Sequence, residues 1–343
     1  MNSKIPFPSA TINQSMLLKS IAEHVQDGAQ QPLVIISCLT YNHEPYIKEA
    51  IESFLLQKTS FPVKIVIFED CSTDKTAAIL HEYQSQYPNL FEVFYMQQNT
   101  YGQPNRRMLK KPFDEARSRA KYTAHCEGDD YWTDTLKLQK QVDFLETNSQ
   151  YSLCVSGFQS LHMDTKATQS IIKAIKSNEP PYNGFSFTLE DTQQQWLTKN
   201  LTAVYRNNKE FASLFQHYHY SRDIHTFYHI LKTGKGFYFT EAMGVYRIHE
   251  GGVNSMKPKY INNIVAYNAY KELYLVNKDE WTRAMYFVHT ISLFRFNLYH
   301  SYPNHSWRKT ISLYIEAAKA ARTIKDYRIL ISSFLPRFKQ VTK

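Results

Sequence analysis

Three segments of strand length, each closed by a cluster of acidic and hydroxyl side chains, restrict this chain more than any other feature. Residues 33–39 read LVIISCL, a continuous apolar run, Val63 to Phe68 form a second strand, and Tyr122 to Cys126 a later one. An apolar run without alternation is what a strand covered on both faces requires, so LVIISCL belongs at the centre of a parallel sheet. Between the runs the period changes. Ile47, Ile51, Phe54 and Leu55 follow Pro45 at helical spacing, and Ala77, Leu80 and Tyr83 follow Ser72 and Thr73, either of which can cap a helix. A strand at Phe91 to Met96 leads into a polar, basic loop from Gln97 to Lys111 and then a short helix. Strand alternating with helix predicts a doubly wound α/β sheet.

Ligands of such sheets bind beyond the carboxyl ends of the strands, where loops and helix N-termini converge. The clusters at residues 40–44, 69–74 and 127–130 all fall there. Carboxylates gathered at one edge repel each other unless a cation or a donor-rich ligand sits among them.

Composition sets outer limits. With 343 residues, 43% apolar and 21% charged, 10 Gly and 13 Pro, the chain is neither disordered nor fibrous. A net charge of +9 with 25 Tyr and 21 Phe expects an anionic partner: nucleotide phosphate, nucleic acid or an anionic membrane face. Cys38, Cys71, Cys126 and Cys154 form no CxxC pair, which favours reduced, packed thiols. No charged-then-apolar signal stretch opens the sequence, and the apolar stretch 283–299 is broken by Arg283, His289, Arg295 and Asn297. A cytoplasmic protein without a membrane span is expected.

Beyond the third cluster the pattern loosens. Strands are expected at Leu153 to Phe158, Leu201 to Tyr205, Gly236 to Thr240 and Gly244 to His249, with a helix from Asp223 to Lys232. Residues 159–195 read as a loop or insertion. From Tyr260 the pattern turns helical, ending in the basic Arg337, Lys339 and Lys343.

The opening strand with its TYN turn, the segment EDCSTDKT, the segment EGDDYW, the lone Asp223 ahead of an aromatic helix and the late YRIHEGG together resemble a family 2 glycosyltransferase. The resemblance covers roughly residues 32–256. It implies a GT-A fold, a Rossmann-like mixed sheet flanked by helices, here followed by a C-terminal helical extension. It divides the chain into an N-terminal extension 1–31, a catalytic domain 32–256 (a nucleotide-sugar-binding half 32–132 and an acceptor half 133–256) and a helical region 257–343. The sequence departs from the family pattern in three places: Glu127 stands where Asp is more frequent, Cys71 replaces a Gly, and the loop 97–111 lacks an ARN signature.

What the resemblance implies about residues is specific. Asp129 would bind Mn²⁺ or Mg²⁺, with Glu127 on the ribose or a metal-bound water, and His249 would complete the metal site. Asp70 would accept a hydrogen bond from uracil, beside Thr40, Tyr41 and Glu44. Asn99 and Arg247 would approach the diphosphate, as would Arg106, Arg107, Lys110 and Lys111. Asp223 would be the base of an inverting transfer, and Trp196, Thr202 and Arg206 would frame the acceptor sugar. Plainer readings stay open for the same residues. Asp129, Asp130, Thr133 and Asp134 can cap the helix carrying Leu138, Val142 and Leu145; Asp70, Ser72 and Asp74 can form an Asx turn; Asp223 can cap its helix; the basic group can be a solvated charge run; Gly251 and Gly252 can be a lid pivot or a plain turn. His225 and His229, four apart on one helical face, fit packing better than zinc.

The function expected is hexosyl or N-acetylhexosaminyl transfer from a UDP-sugar to a hydroxyl of a growing glycan or lipid-linked glycan such as a capsule, O-antigen or exopolysaccharide, with peripheral contact to an anionic membrane and no nucleic acid. A nucleotidyltransferase that builds the activated sugar is the nearest alternative, but TYNHEP lacks its Gly-rich, basic loop. A non-catalytic basic membrane-surface or nucleic-acid binder is the other. No GxGxxG or GxxxxGK segment points to a dinucleotide or P-loop enzyme.

Overall fold

The computed structural model describes residues 18–24, 31–103, 106–173, 176–208, 214, 217–219, 222–252, 258–300 and 306–335, without the side chain of Arg107. Most of the expected N-terminal extension and the basic end Arg337, Lys339 and Lys343 lie outside these residues. Two compact units make up the chain: one from residues up to 216 together with 226–251, the other from 217–225 together with 252 onward.

In the first unit the elements are β1 (Lys19–Ser20), α1 (Ile21–His24), β2 (Val34–Thr40), α2 (Ile47–Leu55), β3 (Lys58–Thr59), β4 (Val63–Glu69), α3 (Thr76–Gln86), β5 (Phe91–Tyr95), α4 (Arg106–Arg117), β6 (Tyr122–His125), β7 (Tyr131–Trp132), α5 (Lys137–Thr147), β8 (Tyr151–His162), β9 (Thr168–Ile171), β10 (Gly184–Phe187) and β11 (Val204–Arg206). The helix α6 (Asp223–Thr233) precedes the long strand β12 (Lys235–Ile248). One mixed sheet runs in the order β10-β12-β8-β11-β6-β2-β4-β5, with β7 on β12 and β9 on β8. Strands β6, β2, β4 and β5 are mutually parallel, and β11 joins them antiparallel to the second half.

The central strand is the one expected. Every residue of β2 except Leu39 is buried. Alternate residues go to opposite faces. Val34, Ile36 and Cys38 pack with Ile47, Ile51 and Phe54 of α2, while Ile35 packs with Val66, Phe68 and, from α4, Phe113 and Ala116. All four cysteines are free, and three are buried.

Sequence and structure differ in the second half. The two strands expected at 236–240 and 244–249 are one strand, β12, whose pairing with β8 slips at two places between Phe239 and Val245. Such bulges hide a continuous strand from a period-two pattern. The stretch expected as a loop, 159–195, contains the end of β8 and the strands β9 and β10. Strand β9 pairs only with β8 and is mostly exposed, so it lacks the apolar signal by which strands are read. Residues 200–202 form a 3₁₀ turn, leaving Val204–Arg206 as the strand expected from 201. The basic residues 106–111 belong to α4 rather than to a loop, with Pro112 inside the helix.

The second unit is helical, as expected from Tyr260 onward: α7 (Lys259–Asn277), α8 (Glu280–Tyr299), α9 (Trp307–Ala320) and α10 (Ile324–Ser332). Tyr286, Phe287 and Ile291 of α8 pack with Ala317, Ala320 and Leu330. Arg283 is buried here, held by Glu280 at 2.6 Å, Asp326 at 3.0 Å and the Ala320 carbonyl at 2.5 Å. Asp279 caps α8 through the Thr282 N–H, and Thr323 and Asp326 form a capping box on α10. No helix among the described residues is long and apolar enough to cross a membrane.

Candidate active site

The strand order decides where the site forms. From β2 the chain winds outward through β4 to β5, then returns to place β6 on the other side of β2. A crevice opens beyond the carboxyl ends of strands at such a reversal. The loops after β2, β4 and β6 meet there. Asp70 N–H donates to the Thr40 carbonyl at 3.0 Å and Gly128 N–H to the Leu39 carbonyl at 2.9 Å. Gly128 is a packing requirement, because a Cβ there would lie 2.8 Å from Thr40 Oγ1 and 3.0 Å from His43 Nδ1.

The loop after β2 is locked to the loop after β4. Asn42 N–H donates to Ser72 Oγ at 2.9 Å, Thr73 N–H to Asn42 Oδ1 at 2.8 Å, and Glu44 N–H to Asp74 Oδ2 at 2.9 Å. Glu44 in turn receives the Lys75 N–H at 3.1 Å. Ser72 and Thr73 therefore serve the neighbouring loop, and the cap on the first N–H of α3 comes from Asp74, at 2.9 Å from Thr76 N. Cys71 adopts a left-handed φ of 59°, which explains why the family prefers Gly at this turn. Tyr41 stays exposed at the crevice.

The turn after β6 carries the carboxylates. Ligand oxygens of Glu127, Asp129 and Asp130 lie within 4.8 Å of one another. Asp130 is buried and accepts the Arg247 N–H at 2.9 Å; burial and the neighbouring Asp129 and Glu127 push its carboxyl well above the ordinary range. Asp129 goes the other way. Burial alone would raise it, but the His249 hydrogen bond and the neighbouring His43 outweigh this and hold it below the usual carboxylate range. Its Oδ2 lies 3.2 Å from His249 Nε2 and 3.7 Å from His43 Nε2. Its Oδ1 is buried and has no hydrogen-bond partner among the described residues, and the same holds for His43 Nδ1 and Thr40 Oγ1. A carboxylate with one oxygen facing two imidazoles and the other orphaned, beside two further carboxylates, fits a hard divalent cation, since each orphan costs the desolvation of a polar group that a ligand would recover. The capping alternative fails for Asp129 and Asp130: among the residues of this turn, Asp134 takes the helix-start N–H of Leu136, at 2.8 Å.

His43 is the residue that sequence reasoning missed. It lies in the TYNHEP loop already placed at the strand ends, but nothing local shows that its ring meets Asp129 from across the crevice. Arg247 is held at the site. Its guanidinium donates to the Asp129 carbonyl at 2.8 Å and to Glu49, and lies 5.3 Å from the Tyr46 ring and 4.4 Å from the Tyr131 ring. These contacts tie it to the acidic turn. Glu127 Oε1 receives the Asn200 amide at 3.3 Å.

A second polar group forms after β4. Asp70 Oδ1 accepts the Thr100 N–H at 2.7 Å, and Asn99 Nδ2 donates to the Asp70 carbonyl at 3.1 Å. Arg106 lies 3.8 Å from Asp70 Oδ2. Lys110 packs over the Phe68 and Phe113 rings, where burial pushes its ammonium down to about 8, and Lys111 pairs with Glu115. The structure thus brings Asp70, Asn99 and Arg106 together, while Lys110 and Lys111 are engaged by Phe68, Phe113 and Glu115.

The residues expected at the acceptor are less convergent. Trp196 is half-buried with its ring 6.4 Å from that of Phe227. Thr202 is buried and donates to the Lys199 carbonyl at 2.8 Å, and Arg206 is bound to the Tyr151 and Leu145 carbonyls and to Tyr122. Asp223 opens α6 and its carboxylate accepts the Ile224 N–H at 2.8 Å. His225 and His229 are both buried, in keeping with packing.

Known proteins match this arrangement. The profile of glycosyl transferase family 2 matches residues 34–247, spanning all three strand-end loops and Arg247. The chain belongs to that family. An uncharacterized protein of Mycobacterium bovis is 41% identical over 129 residues, 38% of this chain and 36% of its own length, so the chain spans about a third of that relative. The putative teichuronic acid biosynthesis glycosyltransferase TuaG of Bacillus subtilis is 27% identical over 231 residues, 67% of this chain and 84% of that protein. Among solved structures, residues 1–349 of S. aureus TarS in complex with UDP-GlcNAc match with a TM-score of 0.59 at 16% identity, over 88% of this chain and 86% of that one. At that identity the likeness establishes the GT-A fold.

Proposed function

We propose that this family 2 member is a metal-dependent inverting glycosyltransferase that moves a hexosyl or N-acetylhexosaminyl group from a UDP-sugar to a hydroxyl of a growing bacterial surface glycan. The observation that carries the reading is Asp129: a half-buried carboxylate with one oxygen shared by two histidines and the other, itself buried, without a partner. The name of TuaG supports a polysaccharide product, and the UDP-GlcNAc bound to TarS supports a uridine donor. The catalytic domain is taken as residues 32–256, with 32–132 for the donor and 133–256 for the acceptor.

Asp129 and His249 would hold Mn²⁺ or Mg²⁺, with His43 facing the same carboxylate oxygen. When bound, the ion supplies Lewis-acid neutralisation of the departing diphosphate. The chain's own residues do the rest. Asp70 would accept the uracil N3–H with one carboxylate oxygen while the other keeps the Thr100 N–H. Tyr41, exposed at the crevice, would stack on the base beside Thr40 and Glu44. Asn99 would stand at the donor beside Asp70, and Glu127 would receive ribose hydroxyls. Arg247, tied to the acidic turn, would face the diphosphate. Asp223 would take the proton of the acceptor hydroxyl as the anomeric carbon is attacked opposite the leaving group. Trp196 and Thr202 would bound the acceptor.

A screen of UDP-, GDP- and dTDP-sugars for Mn²⁺-dependent hydrolysis and thermal stabilisation tests the donor half. UDP-sugars should stabilise the protein, and Asp129→Ala should abolish both signals. An Asp129→Ala protein that still binds and hydrolyses the donor removes the site. For the acceptor half, Asp223→Asn should keep donor stabilisation and lose transfer; retained transfer removes Asp223 from the mechanism.

A further inference from the structure

The second unit leaves an apolar surface that its own core does not use. On α9, Thr310, Leu313 and Ala317 turn inward, while Trp307 is 60% exposed, Ile311 59% and Ile315 48%. On α10, Asp326 and Leu330 turn inward, while Ile324 is 75% exposed and Ile331 72%, with Tyr327 between them and Leu335 just beyond. Each set recurs at three or four residues, so each is a continuous stripe along one helix face. Large apolar side chains scattered singly on a surface mean little, but stripes of Ile, Trp and Tyr on consecutive helices mark an interaction site.

The charges around these stripes identify the occupant. Between residues 306 and 335, Arg308, Lys309, Lys319, Arg322, Lys325 and Arg328 are all exposed. The acidic residues of the same span are turned away from the surface. Glu316 accepts from Tyr267, Tyr286 and Lys271, and Asp326 is buried against Arg283. A protein partner of ordinary composition would be met by charges of both signs. Exposed Ile with Trp and Tyr, bordered by six exposed cations against one exposed carboxylate near Arg322, Glu280, which is already paired with Arg283, is the pattern of a helix that lies in the interfacial layer of a bilayer with anionic headgroups.

We propose that α9 and α10 dock this protein flat on an anionic membrane, the isoleucines and Trp307 entering the acyl boundary and the cations meeting lipid headgroups. The docking needs no span, and it does not depend on the identity of the sugar donor.

The experiment uses the full chain with vesicles of phosphatidylcholine alone or with phosphatidylglycerol at one part in three. Co-sedimentation should require the anionic lipid and weaken with added salt. Trp307 fluorescence, taken as the difference between wild type and Trp307→Phe, should shift to shorter wavelength on binding. Ile324→Glu with Ile331→Glu, and separately Lys325→Glu with Arg328→Glu, should each lower the partition coefficient by about tenfold or more. Both pairs are exposed, so circular dichroism melts should match wild type and separate lost docking from lost folding. Undiminished sedimentation of both double variants overturns the proposal. So does a concentration-dependent dimer, seen by light scattering without lipid, that the isoleucine substitutions dissociate, since a second copy would then cover the face.

Discussion

The crevice of the sheet unit and the core of the helical unit handle buried charge in opposite ways. Around Arg283 each charged group has an acceptor or donor within hydrogen-bond distance: Glu280, Asp326, the Ala320 carbonyl and the caps at Asp279 and Thr323. Around Asp129 the carboxylates crowd together, one oxygen is orphaned, and Thr40 and His43 each keep a buried polar atom without a partner. A closed network can only stabilise or specify structure. An open one costs stability and is kept where something else closes it, which is why the crevice reads as a binding site and the Arg283 network as scaffolding.

Substitutions can break this contrast. The largest effect is expected at Asp129: Asp129→Asn should reduce metal-dependent turnover by about a thousandfold or more and weaken Mn²⁺ binding measured by calorimetry, with a modest fall in thermal stability because the lost charge is one that His249 and His43 favour. Unchanged Mn²⁺ binding would place Asp129 with the scaffolding instead. Arg283→Leu should do the reverse. It leaves Asp326 with the N–H groups of Arg322 and Thr323, and the Ala320 carbonyl without its guanidinium donor, and should cost about 3 kcal/mol in denaturant unfolding of the helical unit, with Mn²⁺ affinity unchanged. Arg247→Met tests the residue between the two types: losing its clamp should lower stability by about 2 kcal/mol and turnover by about tenfold, with the turnover loss mainly in kcat.

Lys137 sharpens the comparison through pH. It is fully buried, hydrogen-bonded to Gln141 at 2.7 Å and 4.4 Å from the Trp132 ring centre, and burial pushes it down to about 7. The native state therefore binds fewer protons than the unfolded chain between about pH 7 and the ordinary lysine range near 10.4. Stability attributable to this group rises with pH across that window and its cost is greatest at and below pH 7. Lys137→Met should stabilise by about 1–2 kcal/mol at pH 6, with the advantage shrinking toward pH 10. A pH-independent difference would show that the ammonium stays charged when folded. The smallest effect belongs to Cys71→Gly, where relief of a left-handed side chain and added freedom in the unfolded chain nearly cancel; a change under about 1 kcal/mol is expected.

Much of the first half of the sheet was legible because its signals are local. The run 33–39 is apolar at every position a doubly covered strand buries, and Ile47, Ile51, Phe54 and Leu55 mark the buried face of α2. Strand-end placement then gathered Thr40, Asp70, Asn99, Glu127 and Asp129 without any contact being known. The second half of the sheet was less legible: β12 hides behind bulges, β9 and β10 sit in a polar stretch, and Thr202 and Arg206 are absorbed by backbone carbonyls.

By itself, then, the amino-acid order determined the alternation of strand and helix, the central strand and the edge at which acidic loops collect, because periodicity and apolar runs act over a few residues. Tertiary structure alone decided that His43 and His249, 206 positions apart, share one oxygen of Asp129 at 3.7 and 3.2 Å, and that Arg247 is tied to the acidic turn. Those contacts come from loops of different strands meeting at a reversal of strand order, and no local pattern encodes a meeting of that kind.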